Sequence, residues 1–431
     1  MNSPAAPSPD RASPDRDHFI PFRRGDVVEM CLQREGLAGE DADRFRSLAR
    51  ILGAFFHFEF QDTLHRLTDG YAPFDPDRDT RRIRDLSDSE RSECRRQLVD
   101  GLTEVLRRGN YVRIPEEDIH RAMAEESLFR IRLHVDLTDF EEILFFRRGE
   151  TVRREKIRRL FGLGTKEIEV PTYDRVAVYV HFKERDWFDA KKRKNLPFQP
   201  GSMLLKLFSN IPRADLEMLF PNSQIRMKPI DKIVMVVPAL AGIVVIVATK
   251  LAAVIGLIAA LILFWLGVAE DRPTINSARL VALGAGLAAF GSYLAKQWMN
   301  YKNRKIRFMK ALTENLYYRN LDNNAGVLKQ LVDRAEGEEL KEAILAYRFL
   351  LEEEDGLTLE ELDARIERWL AERWEVDVDF DAEDALGKLE RLGLARREQD
   401  NWRVLPLEEA LRELDRRWDG AFDFGSAPAT D

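Results

Sequence analysis

The chain has 431 residues, enough for two or three domains that each bury a core of their own. With 33% charged residues, its composition excludes a protein embedded in a membrane over its whole length. The net charge of -8 gives no overall reason to expect a nucleic-acid partner. Cys31 and Cys94 are far apart and indicate two buried thiols rather than a disulfide framework or a zinc site. No cofactor is predicted.

The N-terminal segment 1–17 is rich in Pro, Ser and Asp and contains no apolar stretch of the kind that a secretory signal needs. We therefore predict a disordered tail over 1–17, and a second tail over 421–431. Three aspartates in the first tail argue against an organelle transit peptide. A bacterial inner membrane is therefore the simpler location for the apolar segments further along the chain.

Residues 18–128 predict a helical N-terminal region. Six apolar side chains recur at helical spacing and predict a core helix: Phe45, Leu48, Ile51, Leu52, Phe55 and Phe56. His57, Gln61 and His65 would share one face of this helix, which raises a metal-binding interpretation. Glutamine is a poor ligand and His57 stands among phenylalanines, so the sequence favours a core histidine over a metal ligand.

The stretch "YAPFDPDRD" places Asp75, Asp77 and Asp79 at the first, third and fifth positions of a calcium loop. Thr80 stands where such a loop needs glycine, and Leu86 where it needs a bidentate glutamate. These three aspartates are therefore a weak calcium candidate, and no other metal ligands are predicted. The alternative is a turn held by proline, whose carboxylates cap the following segment.

Residues 129–232 predict an α+β module. Alternating apolar and polar residues indicate the strands of an antiparallel sheet in "FRIRLHVDL", "EEILFFRR", "RVAVYVHFKE" and "SMLLKLFS". Two basic stretches, "TVRREKIRRLFGLGTK" and "KKRK" at 191–194, either contact anionic headgroups or form a solvated face. "GLGTK" is not a phosphate-binding loop, because the GxxxxGK[ST] spacing is absent.

Residues 233–298 predict a transmembrane hairpin. The only charge between Ile233 and Ala269 is Lys250, and the span-length run 278–298 follows a short polar loop. We predict spans over about 251–269 and 278–298, with 233–249 as an apolar extension and Lys250 at the near interface. The rival is three spans, with a tight turn at Thr249 and Lys250.

Basic residues flank the predicted hairpin on both sides, which by the positive-inside rule places both termini in the cytoplasm. The residues predicted at the membrane interface are Lys228, Lys232, Lys250, Lys302, Arg304 and Lys305.

Residues 299–420 predict a mostly helical domain with a winged-helix-like order. The sequence indicates a helix leading out of the membrane, two helices within 323–354, a third opened by the capping box of Thr358 and Glu361, a short helix capped by Asp381, a hairpin and a final helix. The helix before the hairpin carries four acidic residues against two basic ones, so its surface would repel phosphate. We therefore expect a protein contact there, and no nucleic acid as a partner.

Several stretches together resemble the family of domain of unknown function 3754, which includes eukaryotic transmembrane protein 143. The resemblance rests on "YAPFDPDRD", "IPRADLEMLFP", "NLYYRNLDNNAGVLKQLVDRAE" with "KEAILAYRFLL", "DVDFDAEDALGKLERLGL" and "LDRRWDGAF", and it extends from His18 to Phe422. It implies an integral membrane protein with two spans and implies no reaction. The residues that match the family motifs are Tyr71, Phe74, Asp75, Asp77, Asn323, Asn324 and Gly326.

The predicted fold class is thus a mixed α+β, multi-domain integral membrane protein. The leading functional hypothesis is a membrane-anchored scaffold or adaptor whose cytoplasmic domains contact protein partners or the membrane surface. One alternative is an oligomeric channel or lipid-handling protein, with the bilayer and further copies of the chain as partners. The other is a membrane-associated enzyme, although the sequence contains no HExxH, GxSxG or Gly-rich nucleotide loop and predicts no catalytic residue.

Overall fold

A computed structural model of the chain describes residues 16–81, 83–124, 132–158, 165–194, 196–226, 252–268 and 277–420. Contacts divide the chain into two compact units. The first unit comprises Met1–Asp118, Thr138–Arg213 and Asn320–Asp431, and the second comprises Ile119–Leu137 and Ala214–Arg319. The predicted domain boundaries stay predictions.

The helices of the described residues are α1 (Arg24–Leu32), α2 (Glu40–Tyr71), α3 (Asp88–Arg108), α4 (Glu116–Ala124), α5 (Ala190–Arg193), α6 (Ala252–Trp265), α7 (Ser277–Arg319), α8 (Ala325–Leu351), α9 (Leu359–Trp374), α10 (Ala382–Arg391) and α11 (Leu407–Gly420). The strands are β1 (Val112–Arg113), β2 (Arg132–His134), β3 (Phe140–Arg158), β4 (Thr165–Phe182), β5 (Met203–Pro212), β6 (Gln224–Arg226), β7 (Asn320–Asn323), β8 (Ala395–Glu398) and β9 (Asn401–Val404).

The first unit contains a five-stranded antiparallel sheet in the order β1-β3-β4-β5-β7. Alternation correctly predicts β3, β4 and β5, whose inward side chains include Leu144, Tyr179 and Leu205. The basic stretch after "EEILFFRR" is not simply a connection, because β3 continues to Arg158 and β4 begins at Thr165. Within the described part of the first predicted strand, Arg132–His134 forms β2, which pairs with β6 in a separate sheet of the second unit.

The predicted core helix is α2, and it buries four of the six apolar residues that predicted it: Phe45, Leu48, Leu52 and Phe56. Ile51 and Phe55 are half-buried and pack against the same core. His57 is not the core histidine that its phenylalanine neighbours suggested. Its side chain is 67% exposed and its Nδ1 lies 3.0 Å from the Glu336 carboxylate.

The two helices predicted within 323–354 are one helix, α8, of 27 residues. Gly337 does not interrupt it, because this glycine lies under the aliphatic part of Arg24, 3.7 Å from the position that a Cβ would take. All residues from Ala335 to Leu350 are buried. Within the first unit, α8 contacts α1, α2, α3, α9 and α10 as well as β5, β7 and β9.

The remaining order matches the winged-helix-like prediction, with α8, α9 and α10 followed by the β8–β9 hairpin and α11. Both halves of the predicted capping box are present, since Glu361 N–H donates to the Thr358 hydroxyl and Thr358 N–H donates to the Glu361 carboxylate. Asp381 caps α10 by accepting from the Asp384 N–H at 2.9 Å. Leu357 forms a single antiparallel bridge with Trp402, which attaches the hairpin to the start of α9.

The prediction of membrane spans is wrong for the described residues, among which no helix is both long enough and apolar enough to cross a membrane. Helix α6 has 14 residues, or about 21 Å, against a hydrocarbon core of about 30 Å. Helix α7 has 43 residues, and nine of them are charged. This finding overturns the integral-membrane fold class, the spans over 251–269 and 278–298, and the inner-membrane location with both termini cytoplasmic. The extension 233–249 lies outside the described residues.

Candidate functional site

The end of α2 and the turn between β7 and α8 bring the family-motif residues together, although these two elements are far apart in sequence. Tyr71 and Phe74 are buried beside Met203, the first residue of β5. The Tyr71 hydroxyl donates to the Met203 carbonyl at 3.0 Å, and the Met203 N–H donates to the Phe74 carbonyl at 2.9 Å. The motif that ends α2 is thereby attached to the start of β5.

Asn324 is the centre of this motif junction, which we define as Tyr71, Phe74, Asp75, Asp77, Asn323, Asn324 and Gly326. Its side-chain amide donates to the Asp77 carboxylate, and its N–H donates to the Leu205 carbonyl at 2.8 Å. Its side-chain oxygen accepts from the Leu205 N–H at 3.3 Å. Asn324 is buried and has a φ of 52°. Asparagine tolerates such a φ better than most residues, so the motif specifies both a conformation and a set of hydrogen bonds.

The other motif residues complete the turn. Asn323 accepts a hydrogen bond from the Lys206 ammonium at 2.7 Å through its side-chain oxygen. At Gly326 an added Cβ would lie 2.2 Å from the Asp322 carboxylate. That carboxylate accepts from the Asn323 N–H at 2.8 Å and from the Gln330 amide at 3.0 Å. Glycine is required here because the carboxylate occupies the space of a side chain.

The weak calcium candidate is engaged in protein hydrogen bonds. The Asp75 carboxylate accepts from the Asp77 N–H at 2.9 Å, as in a turn closed by an aspartate side chain. Burial raises the pKa of Asp75 above its usual value. In the part of the chain that the structure describes, no group of three or more His, Cys, Asp or Glu residues is placed to hold a metal ion. His65 instead lies 3.0 Å from the Gln61 amide, one helical turn away.

A second arrangement, which the sequence analysis did not identify, is a set of charged side chains buried along α8. Glu336, Glu338, Glu339, Lys341 and Glu342 are each at most 6% exposed, and we call these five residues the α8 ion cluster. The stretch "EGEELKE" has the composition of a solvated helix surface. The signal that could have identified it is the strongly apolar sequence "AILAYRFLL" that follows at once, which predicts a helix buried on all sides.

Each acid of the cluster faces a basic or amide group from another element of the first unit. Glu336 binds Arg24, and Glu339 binds Arg108, at 2.6 and 2.7 Å. Glu338 binds Lys341 at 2.9 Å and lies 3.4 Å from Arg148 of β3. Lys341 also donates to the carbonyls of Ile20 and Phe22, at 2.6 and 3.2 Å. The cluster therefore joins α8 to the N-terminal segment, α3 and the sheet.

Glu342 is a buried acid of the cluster, 3% exposed. It accepts from the Asn110 amide at 2.8 Å and pairs with Lys388 of α10, which also lies 3.3 Å from Glu339. Burial raises the pKa of Glu342 to about 7 despite the neighbouring ammonium. The carboxylates around Lys388 raise the pKa of that lysine. Removing one partner of a buried ion pair strongly destabilises the folded protein. These contacts therefore hold α10 against α8.

A polar cleft of about 520 Å³ lies between α3 and α10. Its lining includes Arg107, Arg108, Glu339, Asp384, Lys388 and Arg391. These charges are paired with one another or with Glu104 and Glu59. The helix before the wing therefore directs charged side chains toward α2, α3 and α8. Its acidic composition still argues against nucleic acid, which remains a prediction.

The residues predicted at a membrane interface are only partly described. Lys302 is exposed on α7, with its ammonium 5.6 Å from the centre of the Trp298 ring. Arg304 and Lys305 also lie on α7. Lys228, Lys232 and Lys250 lie outside the described residues. The second unit thus carries both aromatic and basic side chains on α7.

Residues 173–326 match the model of a family described as Protein of unknown function (DUF3754). This confirms the resemblance to that family over the segment from β4 to the motif turn of Asn323, Asn324 and Gly326. The predicted relation to transmembrane protein 143 stays a prediction. No solved structure matches the chain.

Proposed function

We propose that this protein, whose residues 173–326 match the family DUF3754, is a scaffold that attaches to an anionic phospholipid surface through one face of α7. The observation that carries the proposal is a helical face on which exposed apolar side chains alternate with basic ones. The contact is with the surface of the bilayer, and no crossing of the membrane is required.

The apolar part of this face consists of residues that point in similar directions around the helix. Leu294, Trp298, Ile306, Met309 and Tyr317 are between 44% and 75% exposed. At about 100° per residue they fall within a sector of roughly 140°. We call these five residues the α7 face. A helix face that exposes several large apolar side chains usually marks an interaction site.

The charges of α7 favour an anionic partner. Between Ser277 and Arg319 the sequence contains eight Lys or Arg residues and one acid, Glu314, although the whole chain has a net charge of -8. Lys302, Arg307 and Lys310 are exposed beside the α7 face. Tryptophan and aliphatic side chains suit the boundary between headgroups and acyl chains, while lysine and arginine attract anionic headgroups.

Helix α6 of the same unit adds to the apolar surface. Ile258, Ile262 and Trp265 are 51%, 52% and 88% exposed, and α6 contacts α7. Residues of this kind lose unfavourable contact with water when they enter the boundary region of a bilayer. The apolar surface of the second unit therefore extends beyond α7.

The scaffold part of the proposal is supported by the first unit. Its motif junction and α8 ion cluster use their polar groups in contacts that hold elements together. The winged-helix-like region, the sheet and α2 are thereby joined around α8, which suits a body that presents surfaces to protein partners. An enzyme would instead need polar groups directed toward a substrate.

The test is co-sedimentation of the full-length chain with two kinds of vesicle, one of phosphatidylcholine alone and one that also contains phosphatidylglycerol. We expect binding to the anionic vesicles that weakens steeply with salt. Trp298→Ala with Ile306→Ala and Met309→Ala should weaken it at least tenfold. Lys302→Glu with Arg307→Glu and Lys310→Glu should weaken it about a hundredfold, since each basic residue contributes about 1 kcal/mol near such a surface.

Matched controls lie in the first unit. Trp187 is 59% exposed and Lys329 is exposed on α8, so Trp187→Ala and Lys329→Glu should leave binding unchanged. Equal binding to neutral vesicles would contradict the role of charge. Absence of vesicle binding would overturn the proposal and favour an acidic protein with an apolar groove as the partner of α7.

A further inference from the structure

The first unit contains an aromatic groove that neither the proposed function nor the motif junction uses. It has a volume of about 460 Å³ and lies between α1 and α9. Met30, Arg34, Glu352, Trp369, Arg373 and Trp374 line it, and we call it the indole groove. Its walls come from opposite ends of the chain, so tertiary packing alone creates it.

The two tryptophans form adjoining walls. The ring centroids of Trp369 and Trp374 are 6.3 Å apart, with planes at 77° to each other. Contacts on the core side support both rings, because Phe349 lies 5.6 Å from Trp369 and Phe22 lies 5.9 Å from Trp374. The groove thus presents a corner of two indole rings held in fixed positions.

The polar groups of the groove divide into satisfied and unsatisfied ones. Arg34 is satisfied, since it binds Glu352 through two hydrogen bonds of 3.1 and 2.5 Å and lies over the Phe349 ring. Arg373 is exposed and makes no ion pair with any described residue. The Trp374 indole N–H is buried and has no acceptor among the described residues. One cation and one donor therefore remain for a ligand.

These features suit a proline-rich peptide. Aromatic-lined grooves bind polyproline II segments because proline rings pack on flat side chains and the extended backbone exposes its carbonyls to donors such as an indole N–H. The segment is rigid before binding, so little conformational entropy is lost. The carboxylate of an aspartate next to a proline would also form an ion pair with Arg373.

We propose that the indole groove binds the proline-rich segment 1–15 of the same chain as a polyproline II segment. That segment contains Pro4, Pro7, Pro9 and Pro14. The sequence Ser-Pro-Asp-Arg occurs in it at 8–11 and again at 13–16. Asp10 and Asp15 supply the carboxylates that complement Arg373.

The position at which the segment joins the described chain supports this occupant. Arg16 binds Glu367 of α9 at 3.0 Å and lies 3.4 Å from Asp377, and the Asp17 carbonyl accepts from the Asp379 N–H. Glu367 and Trp374 are seven residues apart on α9, or about 10 Å. The seven residue-to-residue steps from Pro9 to Arg16 span up to about 23 Å. A segment tethered so close has an effective concentration in the millimolar range.

The test uses a fluorescein-labelled peptide of residues 1–15 and the full-length chain, with fluorescence anisotropy as the readout. In the wild type the tethered segment competes with the peptide. A full-length variant with Pro4→Ala, Pro7→Ala, Pro9→Ala and Pro14→Ala should therefore bind the peptide at least tenfold more tightly than the wild type. Adding Arg373→Glu or Trp369→Ala to that variant should weaken peptide binding at least tenfold.

Three controls make the result decisive. Arg368→Glu alters an exposed charge on α9 outside the lining and should not change peptide binding. A peptide with alanine at all four prolines should not bind. Unfolding temperatures show whether Trp369→Ala remains folded, and Arg373→Glu tests the groove if it does not. Equal affinity of the peptide for the wild type and the four-alanine variant, or no binding to either, would overturn the proposal.

Discussion

Asn324 donates its side-chain amide to the carboxylate of Asp77, a residue 247 positions earlier in the chain. The same asparagine makes two hydrogen bonds to the Leu205 backbone, so it joins the end of α2, β5 and the start of α8. Two of the stretches that carried the family resemblance, "YAPFDPDRD" and the one that contains Asn323 and Asn324, are thus the two sides of one structural junction.

Asn324→Ala removes the hydrogen bond to Asp77 and leaves a residue that tolerates a φ of 52° poorly. Buried groups left unpaired cost about 1–3 kcal/mol, and backbone strain adds a similar amount. We expect a lower free energy of unfolding by about 2–4 kcal/mol, with a smaller loss for Asn324→Gly, which accepts the conformation. Thermal unfolding followed by circular dichroism measures both. The exposed neighbour variant Asn323→Ala should lose less than about 1 kcal/mol. Equal losses for alanine and glycine would show that conformation contributes nothing.

Lys341→Met tests the α8 ion cluster. The change removes the ammonium that donates to the carbonyls of Ile20 and Phe22, of which the Ile20 carbonyl still accepts from the Phe22 N–H, and it leaves Glu338 without its closest cation. Removing one partner of a buried pair costs about 3–5 kcal/mol, so we expect a loss of that size in chemical denaturation. Lys329→Met makes the same change at an exposed site of α8 and should stay within about 0.5 kcal/mol of the wild type. A small loss of unfolding free energy in Lys341→Met would mean that the α8 ion cluster does not stabilise the fold.

Glu342→Gln tests a pH dependence. Burial raises the pKa of Glu342 from 4.5 to about 7, so the folded state binds this proton more tightly than the unfolded state. The corresponding stability is present below about pH 4.5 and is lost as the pH rises through 7, by about 3 kcal/mol. Because glutamine does not titrate, the unfolding temperature of the variant should fall less than that of the wild type between pH 5 and 8. If the unfolding temperatures of the variant and the wild type fall equally between pH 5 and 8, Glu342 does not control the pH dependence of stability in this range.

Two glycines of the winged-helix-like region should respond in opposite directions to alanine. Gly356 has a φ of +73°, and an added Cβ would lie 2.4 Å from the Trp402 carbonyl oxygen. Gly356→Ala should therefore destabilise the chain by more than about 3 kcal/mol. Gly387 lies inside α10 with nothing within 4 Å of an added Cβ, so Gly387→Ala should stabilise the chain by about 0.5–1 kcal/mol. The difference between their unfolding temperatures is the measurement, and equal shifts would contradict this interpretation.

Local patterns predicted the local structure well. The helical spacing of Phe45, Leu48 and Phe56 predicted α2, and alternation predicted β3 to β5. The caps at Thr358 and Asp381 marked the starts of α9 and α10. These signals succeed because capping bonds and amphipathic faces involve residues within about one turn of each other.

The apolar segments and the charged helix show where local patterns mislead. A run of apolar residues predicted a span, whereas α6 ends after 14 residues and α7 mixes apolar with polar side chains. Glu338 and Lys341 looked like solvated charges and are instead buried and paired. Whether a charged side chain is solvated depends on which elements pack over it. The residue type alone does not predict this.

The sequence by itself determined α2, the strands β3 to β5, the caps of α9 and α10 and the resemblance of residues 173–326 to a family of unknown function, because each depends on neighbouring residues or on motif order. Only the tertiary structure decided that Asp77 meets Asn324, that Lys388 meets Glu342 and that Trp369 and Trp374 line a groove. These contacts join distant parts of the chain. A buried charge or amide without a partner lowers the stability of the folded state, so such groups form hydrogen bonds or ion pairs. Their partners come close only when distant parts of the chain pack together.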